Sequence, residues 1–263
     1  MQGSLFSESV GDDGVARITL TRPEVHNAFN EVLIERLTTA LKGLESDARV
    51  RAVVLAAEGR SFSAGADLNW MKSMAGYSQA ENLADARKLA ELMETLNRLD
   101  KPTVAEVQGS AFGGGVGLVA ACDIAVAAAG AQFCLSEVRL GLIPAVIAPY
   151  VVAAMGERAA RRYFLTAERF SAEEAERVGL VHAVVQPDEL EHTTGRILEA
   201  LLAGGPSALK EAKDLIFAVS RRPTNSGVMD DTAGRIARVR VSEEGQEGIA
   251  AFLEKRKPSW TQE

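Results

Sequence analysis

Thr103-Val104-Ala105-Glu106-Val107-Gln108-Gly109-Ser110-Ala111-Phe112-Gly113-Gly114-Gly115-Val116-Gly117-Leu118-Val119-Ala120-Ala121 joins a strand-like run to a glycine triplet and an apolar segment. Residues 103–108 have the composition of a short buried strand, and Gly109 ends the run. The glycine triplet then opens an apolar helix through Ala121, and strand-like runs at 123–128 and 132–135 follow. A similar order stands upstream. A Val- and Ala-rich run at 50–56 leads through a glycine-bearing loop into 62–68, and an amphipathic helix at 79–99 is closed by Pro102. Leu83, Ala86, Leu89, Ala90, Met93 and Leu96 would form its apolar face. The alternation predicts an α/β fold of repeated strand-strand-helix units.

Working outward, residues 15–21 alternate apolar and polar and stop at Arg22-Pro23, as a strand does before a residue that lacks an N–H. Asn30 is placed to cap a helix reaching Glu45, because Val32, Leu33, Leu37, Ala40, Leu41 and Leu44 recur at helical spacing. Past the strands, helices are expected at 148–155, 157–165, 172–178, 187–203, 206–219 and 230–239. We therefore expect an α/β core over 1–200 and an appended helical region over 201–263.

A chain of 263 residues, 47% hydrophobic and 25% charged, has the length and composition of a self-folding globular protein. Its net charge of -7 opposes general affinity for nucleic acid or anionic membranes, since both are polyanions. Cys122 and Cys134 have neither zinc-site nor disulfide-framework spacing, so both are expected reduced and buried. Three histidines, His26, His182 and His192, give little material for a metal site or a Ser/His/Asp triad, and no metal is expected. Residues 1–10 lack a basic region followed by an apolar stretch, and no apolar run approaches the roughly 20 residues that span a bilayer. A cytoplasmic location without membrane partners is the expectation.

The candidate chemistry lies in two glycine-bearing segments. In Ser63-Ala64-Gly65-Ala66-Asp67-Leu68 the small side chains let backbone approach a ligand, and Gly113-Gly114-Gly115 puts free amides at a helix start. Together they have the makings of a two-amide oxyanion hole. A tight turn or close packing would explain either segment alone. The triplet has neither the Lys-Ser/Thr of a P-loop nor a dinucleotide fingerprint, which weakens a phosphate-binding reading.

Phe62-Ser63-Ala64-Gly65-Ala66-Asp67-Leu68, followed by Gly109, Gly113-Gly114-Gly115 and Cys122-Asp123-Ile124, resembles the crotonase (enoyl-CoA hydratase/isomerase) superfamily. Ser136-Glu137-Val138-Arg139-Leu140-Gly141-Leu142-Ile143-Pro144 is similar to its second catalytic segment, and Ala251-Phe252-Leu253-Glu254-Lys255-Arg256 to its C-terminal signature. The resemblance implies a crotonase-like spiral of ββα units, an acyl-CoA thioester substrate, no cofactor beyond the coenzyme A it carries, and a homotrimer or dimer of trimers built through 201–263. It makes Glu137 the acid/base, with the Ala66 and Gly114 amides as donors to the thioester oxygen. His26, Ala28, Ala64, Gly65, Asp67 and Leu68 fall where the family lines its CoA site, mostly through backbone, and Phe252 and Lys255 where it approaches a neighbouring subunit's CoA. Taken alone, Glu137 would be read as a surface or ion-paired carboxylate and Lys255 as a solvated charge.

Gly117 departs from the pattern, standing where hydratases with two carboxylates carry the first glutamate. Two reactions stay open: hydration with Glu137 handling both proton steps, and isomerisation with one base moving a proton between carbons. A non-catalytic CoA-ester or RNA-binding protein is the alternative from another class. Residues 133–139, 156–163 and 241–248 are similar to the bacterial methylglutaconyl-CoA and isohexenylglutaconyl-CoA hydratase branch, which implies a branched enoyl-CoA with a second carboxylate. On that reading Gly117 lowers the volume and negative charge of the pocket and eases entry of such a substrate, with Arg87 and Arg139 as candidate cations for its distal carboxylate.

Overall fold

The computed structural model describes residues 5–261; residues 1–4 and 262–263, which the expected domain bounds include, lie outside the described residues. Two sheets carry the fold. The larger orders β1 (Phe6–Val10), β2 (Val15–Leu20), β3 (Ala52–Ala57), β5 (Thr103–Val107), β7 (Ile124–Ala128) and β10 (Ala183–Val185). Only the β1–β2 pair is antiparallel; the other pairs are parallel. The smaller sheet orders β4 (Ser61–Ser63), β6 (Ser110–Phe112), β8 (Gln132–Cys134) and β9 (Phe170–Ser171), with β9 antiparallel.

The pairs β3/β4, β5/β6 and β7/β8 each send one strand into the large sheet and the next into the small sheet before a helix. β3 and β4 precede α2 (Leu68–Met74) and α3 (Gln79–Arg98), and β5 and β6 precede α4 (Gly114–Ala121). This is the expected strand-strand-helix repeat. Parallel strands covered on both faces read as continuous apolar runs, and β3, Ala-Val-Val-Leu-Ala-Ala, is buried at all but its last residue.

Asn30 caps α1 (Glu31–Ser46) by accepting the Leu33 N–H, and Leu33, Ile34, Leu37, Leu41 and Leu44 bury its inner face. Ser78 and Glu81 form a reciprocal capping box at the start of α3. The expected face of α3 is corrected at Leu83, which is exposed; Ala86, Leu89 and Ala90 are half-buried, and Met93 and Leu96 are fully buried. Periodicity alone overstates burial at the start of this helix. α4 is apolar on all sides and buried, with Gly115, Val116, Gly117, Leu118, Val119 and Ala121 all inside.

The two helices expected at 148–165 are two segments of α5 (Ala148–Thr166), broken at Gly156 with φ 76° and ψ 159°. α6 (Ala172–Arg177) and α7 (Leu190–Leu202) follow, and α7 places Leu190 and Leu198 against the large sheet. α8 (Pro206–Val219) matches its expected bounds, while α9 (Ser226–Val241) is longer than expected. α10 (Glu243–Glu254), β1, β9 and β10 were not anticipated. Arg51 ties the C-terminal region to the core by donating to the carbonyls of Leu202, Gly204 and Trp260. Lys213 of α8 pairs with Asp123 at 2.7 Å. No helix among the described residues is long and apolar enough to cross a membrane.

Candidate active site

The loop after β2 and the loop after β4 zip together through backbone. Ala64 N–H donates to His26 O at 2.9 Å, Phe29 N–H to Gly65 O at 2.6 Å, and Asp67 N–H to Phe29 O at 2.7 Å. The Ser63 hydroxyl donates to Asn27 O. His26 and Asn27 take left-handed conformations, with φ 55° and 53°, to turn the first loop into this register. In a parallel ladder only alternate residues of a strand bond to a given neighbour. The Phe29–Ala66 bridge uses the groups of Gly65 and Asp67, so the Ala66 N–H points away from Phe29.

The second amide comes from α4. Gly113, at φ 51°, precedes the helix and donates to Cys134 O, leaving Gly114 as its first residue. Neither the Ala66 N–H nor the Gly114 N–H has an acceptor among the described residues. Unpaired backbone donors away from solvent are uncommon, and both of these sit on half-buried residues.

Steric measures locate these groups relative to each other. A Cβ on Gly65, itself at φ 85°, would lie 2.9 Å from Phe112 O and 3.6 Å from Gly114 N, so the two glycine segments touch. A Cβ on Gly114 would lie 2.6 Å from the Phe29 ring, and one on Gly113 3.1 Å from Glu137 Oε1. The Glu137 carboxylate therefore lies against the residue that precedes the free Gly114 amide.

Glu137 begins a 3-10 turn, Glu137–Leu140, that Gly141 closes in a left-handed conformation. Its Oε2 is buried without a hydrogen-bond partner. Burial raises its pKa above the ordinary carboxylate range, and a hydrogen bond from its own backbone N–H offsets part of that rise. A carboxyl group with a raised pKa and a free oxygen is suited to taking up and returning a proton near neutral pH.

Asp67 sits beside this centre, but its side chain is occupied. It accepts from Arg22 at 3.1 Å and from the Asn69 N–H that starts α2, with side-chain exposures of 10% for Asp67 and 15% for Arg22. Arg22 also donates to Ala28 O, so one guanidinium pins the first loop to the Ala66 segment. Arg22 was expected only as the end of a strand; the missed signal was a cation two residues outside the ladder, next to the loop it braces.

His26 is half-buried, with Nδ1 3.1 Å from Ser61 Oγ and Nε2 3.2 Å from an Arg60 nitrogen. Ala28 and Gly65 are buried, Ala64 is half-buried, and Leu68 is exposed at the rim. Phe252 and Lys255, at the end of α10, are not drawn into this centre. Phe252 is 82% exposed and borders a separate cavity of about 350 Å³ with Val239, Gly248 and Trp260. Lys255 ends α10 at φ 55°.

The room expected at Gly117 is filled. A Cβ there would lie 2.2 Å from Ile147 Cγ2 and 3.3 Å from Met93 Cε, so an isoleucine side chain occupies the volume a larger residue would take. The expectation that this glycine opens space for a substrate carboxylate is corrected accordingly. Arg87 and Arg139 are both exposed. Cys122 and Cys134 are buried free thiols, and burial pushes Cys122 up to about 12, so it is not a nucleophile at neutral pH.

The enoyl-CoA hydratase/isomerase family matches residues 11–263. An enoyl-CoA hydratase from Shewanella pealeana superposes with a TM-score of 0.95 at 47% identity, covering 98% of this chain and 97% of that one. The short-chain-enoyl-CoA hydratase of Clostridium acetobutylicum is 32% identical over 256 residues, 92% of each chain. The trans-2-decenoyl-[acyl-carrier-protein] isomerase of Streptococcus mutans is 29% identical over 95% of each chain. With its two-sheet spiral and its paired free amides beside Glu137, the chain belongs to the enoyl-CoA hydratase/isomerase family.

Proposed function

We propose that this chain hydrates the double bond of a 2-enoyl-CoA thioester. The observation that supports the reading is a pair of acceptor-free amides, Ala66 and Gly114, on touching segments, with a carboxylate whose pKa is raised by burial against the residue before Gly114. The thioester oxygen accepts from both amides. Ionised Glu137 takes a proton from water as that water adds to the β carbon, and the electron pair of the double bond moves toward the thioester oxygen as an enolate. Glu137 then returns a proton to the α carbon. Hydrogen bonds that strengthen as the oxygen becomes negative stabilise the transition state more than the ground state. Coenzyme A arrives as part of the substrate, along the backbone of His26, Ala28, Ala64, Gly65, Asp67 and Leu68, and no further cofactor enters this scheme.

The substrate within this class is a branched enoyl-CoA bearing a second carboxylate, of the 3-methylglutaconyl or isohexenyl-glutaconyl type. The resemblance of residues 133–139, 156–163 and 241–248 supports this. The assembly is a homotrimer or dimer of trimers, with Phe252 and Lys255 presented to a neighbour's CoA, in the cytoplasm. The exposed Phe252, Leu253, Met229 and Val241 on the C-terminal helices support association.

One observation favours a second reading, an enoyl-CoA isomerase. Gly117 brings no carboxylate and Ile147 packs against it, and moving a proton between two carbons needs only the one base Glu137 supplies. Incubation with a panel of conjugated and non-conjugated enoyl-CoA esters separates the two. Hydration removes the conjugated absorbance and adds water to the product mass, whereas isomerisation changes the absorbance at constant mass. If neither occurs with any ester, the enzymatic proposal fails.

A further inference from the structure

Gly113 and Gly117 stand one turn apart, joined by the Gly117 N–H donating to Gly113 O at 3.2 Å. The chain from 137 to 147 runs back over this helix. Glu137 Oε1 lies where a side chain on Gly113 would start, and Ile147 Cγ2 and Cβ lie 2.2 and 2.8 Å from where one on Gly117 would start. Ile147 thus meets the helix at Gly117, four residues past the glycine that faces Glu137. Ile147 is 2% exposed and Met93 behind it is fully buried. The space over α4 behind Glu137 is therefore closed by a buried aliphatic layer that sits directly on bare glycine backbone.

We propose that Ile147, seated on Gly117 and backed by Met93, is the stop that sets the depth of the acyl pocket behind Glu137 and limits the size of the substituent the β carbon can carry there. The inference rests on the enoyl-CoA reading for the position of the acyl chain. Because Gly117 has no side chain of its own, Ile147 with Met93 behind it fills this volume, and shortening Ile147 opens a void there. The layer is also uncharged, so a second substrate carboxylate, where one is present, points away from α4. Hydrophobic pockets discriminate by about 10- to 200-fold for each methylene added or removed.

The test compares dissociation constants for 3-methylbutanoyl-CoA and butanoyl-CoA by calorimetry. Neither saturated ester can be hydrated or isomerised, so binding is read without turnover. Ile147→Ala is expected to raise the affinity for the branched ester relative to the unbranched one by about tenfold, and Ile147→Val, the milder change, by less. Adding Gly117→Ala to Ile147→Ala refills part of the void and should move the ratio back toward wild type. A ratio unchanged in folded Ile147→Ala, or in Ile147→Val where the alanine variant does not fold, overturns the assignment. A shifted ratio without turnover on any enoyl-CoA would sink the hydration reading and leave the stop standing. Normal hydration with an unmoved ratio would do the reverse.

Discussion

The glycine that precedes α4 and the glycine that ends its first turn do opposite things. At Gly113 the absent side chain admits the Glu137 carboxylate, next to the free amide of Gly114; at Gly117 it admits Ile147 and closes the space. Glycine is required at both places for steric reasons, but one neighbour is chemically active and the other inert. A glycine-rich helix start therefore says that something approaches closely, while the residue that approaches says what the place does.

The largest test of this contrast is Glu137→Gln. The amide keeps the shape and removes proton exchange, so kcat should fall by about 100- to 10,000-fold with acyl-CoA affinity retained. More than about a tenth of wild-type turnover would remove Glu137 from the role, given that scale. Gly114→Val should cost about 100- to 1,000-fold in kcat, because its Cβ would meet the Phe29 ring at 2.6 Å and push the donor amide off target. Normal kinetics in a folded variant would show that the Gly114 amide does not bind the oxygen.

Two further effects fall on stability. Arg22→Ala leaves Asp67 without its cation in a largely buried setting, and removing one partner of such a pair costs about 3–5 kcal/mol. Denaturant titration should show this loss; a change within experimental error would mean that the loops hold through backbone alone. The smallest effect is a pH dependence. Since the folded-state pKa of Glu137 is raised above its unfolded value, the folded state holds that proton more tightly. Its contribution to stability is therefore full below the unfolded pKa and is lost as pH rises through the folded one. Glu137→Gln should accordingly gain melting temperature relative to wild type at neutral pH, with the gain shrinking under acid. A gain that grows under acid would contradict the sign.

Local sequence patterns disclose the surroundings of Gly113 better than those of Gly117. The strand-strand-helix repeat, the Asn30 cap and the bounds of α8 follow from local periodicity and capping, which need only neighbouring residues. α10 escaped because Gly245 and Gly248 dilute its helical signal, and β1 because its Ser-Glu-Ser centre is an exposed edge. The two amides were legible as small-residue segments. Their lack of acceptors was not, since that depends on which carbonyls the Phe29–Ala66 bridge uses up. Ile147 lies 30 residues beyond Gly117 and Arg22 lies 45 before Asp67, and only the folded chain brings either pair together.

The central claim is that the Ala66 and Gly114 amides converge on a single thioester oxygen. It is tested most directly by infrared difference spectroscopy of an isotope-labelled thioester carbonyl in 2-butenoyl-CoA bound to Glu137→Gln, where turnover does not consume the ligand. The account predicts a carbonyl stretch at clearly lower frequency than in water, from two aligned donors in a poorly solvated site, and a return toward the solution value when Gly114→Val is added. A bound carbonyl that absorbs at its solution frequency would contradict it.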